Sequence, residues 1–164
     1  MTEYENYSKN AVVLEVRLSG RIRETDPPGE GSLDLKVSGV GNLILHCFMD
    51  NDTASLFYRK KIIVEDKIPV LFVLSGDYTK VQILREKAKE LTWIEMEESF
   101  SNHYVAKGEI IKTTTHPEMS DSNQVVLDCG IYVFIRVVKS VPLKIGDYLQ
   151  MTGRLDAHIV GKVN

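Results

Sequence analysis

A segment near the end of the chain repeats a segment near its middle, and this repeat constrains the fold more than any other feature. Residues 141–160 align without a gap on residues 64–83, which lie 77 positions earlier. The alignment pairs Leu74-Ser75-Gly76 with Met151-Thr152-Gly153. A repeat of this kind indicates that one structural unit occurs twice. We therefore expect two similar small domains in tandem.

Each half of the chain shows the alternation of apolar and polar residues that predicts half-buried β-strands. The predicted strands span residues 11–19, 32–37, 42–49, 68–74 and 81–84 in the first half, and residues 104–113, 125–128, 131–138, 146–156 and 158–163 in the second. Good N-cap residues at positions 50–53 predict a short helix after the third strand. Residues 85–99 carry apolar side chains at helical spacing and predict a linker helix; a strand over residues 91–96 is the alternative.

Five strands with a helix after the third resemble an OB-fold, a partly open Greek-key barrel. The hairpins SLDLKVSGVGNLILHCF and VVLDCGIYVFIRV and the strand KIGDYLQMTGRL resemble those of the single-stranded-DNA-binding and replication protein A families. The resemblance covers residues 11–84 and 104–163. It implies an all-β fold with one or two short helices, arranged as two tandem five-stranded OB-like β-barrels. We expect residues 1–98 to form the first barrel with the linker helix, and residues 99–164 to form the second.

The composition is that of an ordinary globular protein, with 43% hydrophobic and 26% charged residues among 164. No apolar run approaches the roughly 20 residues that a membrane-spanning helix needs. The N-terminal residues lack the basic and apolar regions of a signal peptide, so we expect a cytoplasmic protein. Cys47 and Cys129 fall within apolar runs and predict buried thiols. The net charge of −3 counts against nucleic-acid binding by bulk electrostatics, although a local basic groove remains compatible with it.

The clearest functional signal is the strand over residues 131–138. Ile131, Val133, Ile135 and Val137 share one parity, and Tyr132, Phe134 and Arg136 share the other. If the aliphatic face lies inside the barrel, a tyrosine, a phenylalanine and an arginine point outward together. OB-folds that bind single strands stack bases on aromatic residues in such positions. The alternative is that the aromatic rings pack under a loop or against the other barrel.

Four basic residues of the first half are candidates for the wall of a nucleic-acid groove: Arg17, Arg21, Arg23 and Lys36. If the first strand continues through residues 21–23, the three arginines share one parity of it, and we expect them on a single face. The alternative is that these side chains only keep a strand face solvated.

The equivalent strand of the first half indicates a different surface. Aligning Gly41 with Gly130 places Leu43, Leu45 and Cys47 where Tyr132, Phe134 and Arg136 lie in the second half. An apolar outer face would contact protein rather than bases. These three residues are therefore candidates for a protein interface.

The sequence contains none of the motifs that mark common enzymes, such as a P-loop, a G-x-S-x-G elbow or an H-E-x-x-H helix. We expect no enzymatic activity, no cofactor and no metal site. The sequence favours a non-enzymatic protein that binds single-stranded nucleic acid through an aromatic and basic face. The alternative is a protein-interaction or scaffold module, as a homodimer or as a subunit of a larger complex, without nucleic-acid binding.

Overall fold

The computed structural model describes residues 3–19, 29–96, 101–115 and 121–161, and these residues are mainly β-strand. Within these residues a 3-10 helix spans Glu3–Tyr7 and an α-helix, α1, spans Asn51–Tyr58. The strands of the same residues are β1 (Lys9–Leu18), β2 (Gly31–Val37), β3 (Ile44–Met49), β4 (Lys67–Ser75), β5 (Gln82–Leu84), β6 (Glu90–Trp93), β7 (His103–Thr115), β8 (Ser122–Asp128), β9 (Tyr132–Val138) and β10 (Tyr148–Ile159). Their hydrogen-bonded order is β5-β10-β3-β2-β1-β4-β9-β8-β7-β6. The prediction of an all-β fold is confirmed.

The chain forms two compact units, of which the first is discontinuous in sequence and the second is a single internal segment. The first unit comprises Met1–Leu71 and Asp156–Asn164, and the second comprises Phe72–Leu155. Strands β4 and β10 therefore each supply residues to both units. The boundary predicted between residues 98 and 99 lies at residues 97–100, outside the described residues, and the assignment of residues 1–98 and 99–164 to separate barrels stays a prediction.

The first unit contains the five strand segments of an OB-like barrel. Strand β2 pairs antiparallel with β1 and β3, and the first part of β4 pairs antiparallel with β1. The helix α1 follows β3 as predicted, and the side chain of its N-cap Asp50 accepts a hydrogen bond of 2.9 Å from the backbone N–H of Thr53. Asp156 of β10 pairs in parallel with Phe48 of β3 and supplies the fifth segment.

The second unit repeats this connectivity with different strands. Strand β8 pairs antiparallel with β7 and β9, and the first part of β10 pairs antiparallel with β7. Phe72 and the two residues after it pair in parallel with β9, so the end of β4 supplies the fifth segment. Residues 81–84 were predicted as the fifth strand of the first half, and residues 158–163 as a strand separate from residues 146–156; the structure differs in both places for the residues that it describes. Residues 82–84 form β5, which pairs with β10 in the second unit, and β10 runs unbroken to Ile159.

The repeated glycines Gly76 and Gly153 lie against each other in the second unit. A Cβ on Gly76 would be 2.4 Å from the backbone oxygen of Thr152, and a Cβ on Gly153 would be 2.6 Å from the backbone oxygen of Ser75. Both distances are far below van der Waals contact, so only glycine fits at either position. The close approach of two strands explains why the Ser/Thr-Gly pair appears in both copies of the repeat.

The predicted linker helix over residues 85–99 was wrong for the residues that are described, and the alternative of a strand over residues 91–96 was correct for residues 91–93. Residues Glu90–Trp93 form β6, in which Leu91 lies opposite Ala106 of β7. The indole Nε1 of Trp93 donates a hydrogen bond of 2.8 Å to the backbone oxygen of Ser101. Strand β6 has no buried residue, so it lacks the alternation that identifies a half-buried strand.

The two cysteines are free and buried, as predicted. Burial raises the pKa of the Cys129 thiol to about 12, with a smaller contribution from the nearby Asp128 carboxylate. Burial also raises the pKa of the Cys47 thiol. Both side chains are therefore protonated, apolar components of the core rather than nucleophiles.

Candidate functional site

The second unit has a concave pocket on the outer face of β8 and β9, next to the end of β4. Its volume is roughly 250 Å³, and the polar residues at its rim are Ser75, Tyr78, Gln124 and Arg136. Apolar residues also line the pocket, and all of them but Val73 have at most 2% of their surface exposed: Val73, Leu74, Phe134, Ile135 and Met151. Ligands of OB-folds bind on the face of the second and third strands, which in this unit are β8 and β9. We call this site the Arg136 pocket.

Three neighbours hold the guanidinium of Arg136 in place. Its Nε donates a hydrogen bond of 2.8 Å to the Oγ of Ser122, which is fully buried. Its central carbon lies 3.9 Å from the centroid of the Tyr78 ring, a cation–π contact. Its Nη2 lies 3.4 Å from Oδ1 of Asp121. The plane of the guanidinium is therefore fixed against the aromatic ring.

Tyr78 is presented by a tight turn that directly follows the close approach at Gly76. The carboxylate of Asp77 accepts hydrogen bonds of 3.0 Å from the backbone N–H and 2.6 Å from the hydroxyl of Thr79. These two bonds lower the pKa of Asp77. The backbone N–H of Lys80 donates to the backbone oxygen of Asp77 at 3.0 Å and completes the turn. An aspartate that bonds the backbone two residues later is a common way to stabilise such a turn.

The arrangement has the chemistry to bind a planar ring that carries an anionic group. The apolar residues that line the pocket favour a ligand with a flat, weakly solvated surface. The amide of Gln124 can both donate and accept hydrogen bonds. A fixed guanidinium offers planar N–H donors that match phosphate or carboxylate oxygens. Arginine planes and tyrosine rings are also the surfaces on which unstacked bases lie in protein complexes with single strands.

The aromatic residues predicted for the outer face of β9 have different environments. Tyr132 is half-buried and lies opposite Asp128. Phe134 has the predicted outward parity, but only 2% of its surface is exposed, although it is among the residues that line the pocket. A packed ring was the alternative interpretation, and the burial of Phe134 agrees with it. Arg136 is half-buried at the rim of the pocket.

Of the basic residues predicted for a groove, Arg17 and Lys36 belong to the first unit, whereas Arg136 belongs to the second. Arg17 forms a two-pronged ion pair with Asp34, at 2.6 and 3.3 Å, and a further contact with Glu15 at 3.1 Å. Lys36 is exposed on β2. Arg21 and Arg23 lie outside the described residues.

The predicted apolar interface of the first unit was wrong in two of its three residues. Leu45 and Cys47 are fully buried, and Leu43 is half-buried before β3 begins. Leu45 lies opposite Leu35, as Val133 lies opposite Leu127 in the second unit, so Leu45 and Val133 are the equivalent residues. Aligning Gly41 with Gly130 misplaces the strands by one residue. A shift of one residue exchanges the two faces of a strand.

Sequence analysis missed Tyr78, Gln124 and Asp121. Tyr78 follows Gly-Asp at the end of a predicted strand, and this turn pattern was the available signal. Gln124 lies directly opposite Arg136 across β8 and β9. Cross-strand partners can be assigned only when the register is known, so the sequence contains no direct signal for Gln124.

Within residues 3–19, 29–96, 101–115 and 121–161, no group of three or more His, Cys, Asp or Glu side chains is placed to hold a metal ion. The helices in the same part of the chain are too short and too polar to cross a membrane.

No protein-family profile matches the chain, and no curated protein matches it. Among solved structures, the chain is similar to ModG, a cytoplasmic molybdate-binding protein that was crystallised with molybdate bound. The similarity covers 98% of this chain and 100% of ModG, with 12% sequence identity and a TM-score of 0.48. Molybdate is the ligand of ModG. The OB-like connectivity of this chain is shown by the strand pairing described above.

Proposed function

We propose that this chain is a non-enzymatic protein that binds single-stranded nucleic acid at the Arg136 pocket. The observation that carries the proposal is the cation–π pair of Tyr78 and Arg136 at a pocket of mixed polarity that Gln124 of β8, β9 and the end of β4 help to line. A base would lie against the Tyr78–Arg136 pair, and the guanidinium would contact the phosphate next to it. This is the combination of stacking and backbone contact by which OB-folds bind single strands.

The net charge of −3 limits the proposal to a local site. A protein with this charge gains little from long-range attraction to phosphates, so binding must depend on stacking and on a few short contacts. We therefore expect moderate affinity and a shallow dependence on salt. A protein that covers many phosphates would show a steep dependence instead.

The direct test is a titration of a fluorescently labelled oligothymidine of about 12 nucleotides, which lies within the site sizes of OB-folds. Fluorescence anisotropy at about 50 mM and about 200 mM salt should show binding that weakens as salt increases. A duplex that contains the same strand is the control, because its bases are paired and cannot enter the pocket. Absence of binding to the single strand at the lower salt concentration would refute the proposal.

A second candidate function is protein binding by the first unit. Ile44, Ile63 and Val64 of this unit are large apolar residues that remain exposed. Light scattering after size-exclusion chromatography distinguishes the two functions. A monomer that binds the oligonucleotide supports the first, and a stable dimer that ignores it supports the second.

A further inference from the structure

We infer that Asp121 competes with the ligand for Arg136. The carboxylate of Asp121 holds the edge of the guanidinium that a phosphate of the bound strand would take, and binding displaces it. The inference rests on the proposed function, because it concerns the anionic group of the same ligand in the same pocket. Asp121 therefore lowers the affinity of the pocket for ligands whose anionic group must replace its carboxylate.

The contact between Asp121 and Arg136 has the properties of an exchangeable ion pair. The two atoms are 3.4 Å apart, and 60% of the Asp121 side chain is exposed. Exposed pairs of this kind contribute little to stability, about 0 to 1 kcal/mol, because water and salt screen them. An incoming phosphate therefore has little to overcome when it replaces the carboxylate.

The other contacts of Arg136 do not need to change when the carboxylate leaves. The bond from Nε to the buried Oγ of Ser122 and the stacking on Tyr78 hold the guanidinium from two other sides. Its Nη1 makes no hydrogen bond or ion pair with the part of the chain that the structure describes. Arg136 is thus positioned before binding, and a phosphate can use both Nη1 and the edge that Asp121 releases.

Asp121 can leave without a change in the backbone. Its backbone oxygen accepts a hydrogen bond of 2.9 Å from the N–H of Lys139, which fixes the main chain at the start of β8. The side chain also accepts a hydrogen bond of 3.4 Å from the hydroxyl of Tyr78. Rotation about χ1 releases both long contacts and moves the carboxylate into solvent.

The test compares Asp121→Asn with Glu86→Gln. Both variants remove one negative charge from the second unit, and Glu86 is an exposed residue outside the Arg136 pocket. We expect Asp121→Asn to bind the labelled oligothymidine about threefold to fivefold more tightly than Glu86→Gln, which is the size of an exposed ion pair. The slope of log affinity against log salt should steepen by up to about 0.7, the value for one phosphate of a single strand.

A double-mutant cycle shows whether the effect passes through Arg136. We expect Asp121→Asn to change affinity little in the Arg136→Ala background. An equal gain in both backgrounds would overturn the inference, because general repulsion would then explain it. If the wild type binds and Asp121→Asn equals Glu86→Gln, the inference fails while the proposed function stands. If neither the wild type nor Asp121→Asn binds at low salt, both fail.

Discussion

Arg17 and Arg136 are built into their units in the same way but have different partners. Each donates from Nε to a serine hydroxyl on a neighbouring strand, Arg17 to Ser32 at 3.0 Å and Arg136 to Ser122 at 2.8 Å. Each also reaches an aspartate through Nη2. The difference between the two arginines lies in that aspartate.

In the first unit the aspartate is Asp34, which is only 14% exposed and lies 2.6 Å from Arg17. The Nδ1 of His46 lies 2.8 Å from the same carboxylate oxygen. In the second unit the aspartate is exposed and its contact is long. A tight, partly buried pair joins strands, whereas a loose, exposed pair leaves the guanidinium available. The comparison indicates that Arg17 joins strands, and it leaves the guanidinium of Arg136 available for the ligand that we propose.

The largest expected difference between the two arginines is in binding. Arg136→Ala removes a phosphate contact and the support of Tyr78, so we expect the affinity for oligothymidine to fall at least tenfold, or about 1.4 kcal/mol. Arg17→Ala should stay within about twofold of the wild type under the same conditions. Anisotropy titrations of both variants measure the difference. An equal loss in Arg17→Ala would place the ligand on both units and break the comparison.

The next effect is on the free energy of unfolding, and here we expect the larger loss in the first unit rather than the second. Asp34→Asn weakens the bonds to Arg17 and His46 in a partly buried site, so we expect the free energy of unfolding to fall by about 1 to 3 kcal/mol. Asp121→Asn should change it by less than about 0.5 kcal/mol, since its pair is exposed. Urea denaturation followed by circular dichroism measures both. Equal losses would show that the two ion pairs do not differ in kind.

The pH dependence of stability sharpens the same contrast. Burial alone would raise the pKa of Asp34, but hydrogen bonds from Arg17 and His46 outweigh it and lower that pKa. Its stabilising effect is therefore present above the ordinary carboxyl pKa of about 3.9 and is lost as the pH falls through the lower folded-state value. We expect the wild type to lose more stability than Asp34→Asn between about pH 5 and pH 2. Parallel curves of unfolding free energy against pH for the two proteins would contradict this.

The smallest expected effect on binding affinity comes from removing the hydroxyl of Tyr78 while its ring is kept. Tyr78→Phe keeps the stacking surface and removes only the 3.4 Å bond to Asp121, so affinity should change by less than about 0.5 kcal/mol. Tyr78→Leu removes the aromatic surface and should cost about 1 to 3 kcal/mol of binding. Anisotropy titrations distinguish the two substitutions. Similar losses in both would show that the hydroxyl, not the ring, contacts the ligand.

Much of the fold was predictable because its signals are local. The alternation of apolar residues predicted nine of the ten strands that the described residues form, since burial on one face of a strand gives every second residue an apolar side chain. The N-cap at Asp50 placed α1 correctly for the same reason. Strand β6 was missed as the first choice because it has no buried face to produce the pattern.

The candidate site was predictable only in part. Arg136 and the outward parity of its strand followed from the sequence, but the sequence left open whether Phe134 is exposed or packed. Whether an outward ring is exposed depends on which distant segment lies over it, and here the end of β4 contributes to the pocket wall. The contact of Tyr78 with Arg136 could not be predicted, because the two residues are 58 positions apart in the chain.

The sequence by itself determined that one barrel pattern occurs twice and that a glycine is needed at one point in each copy. Only the tertiary structure decided which strands close each unit. The ends of β4 and β10 carry the same apolar alternation whether they pair with a neighbour in sequence or with a distant strand. Strand pairing depends on contacts between residues far apart in the chain, and periodicity within a segment does not specify its partner.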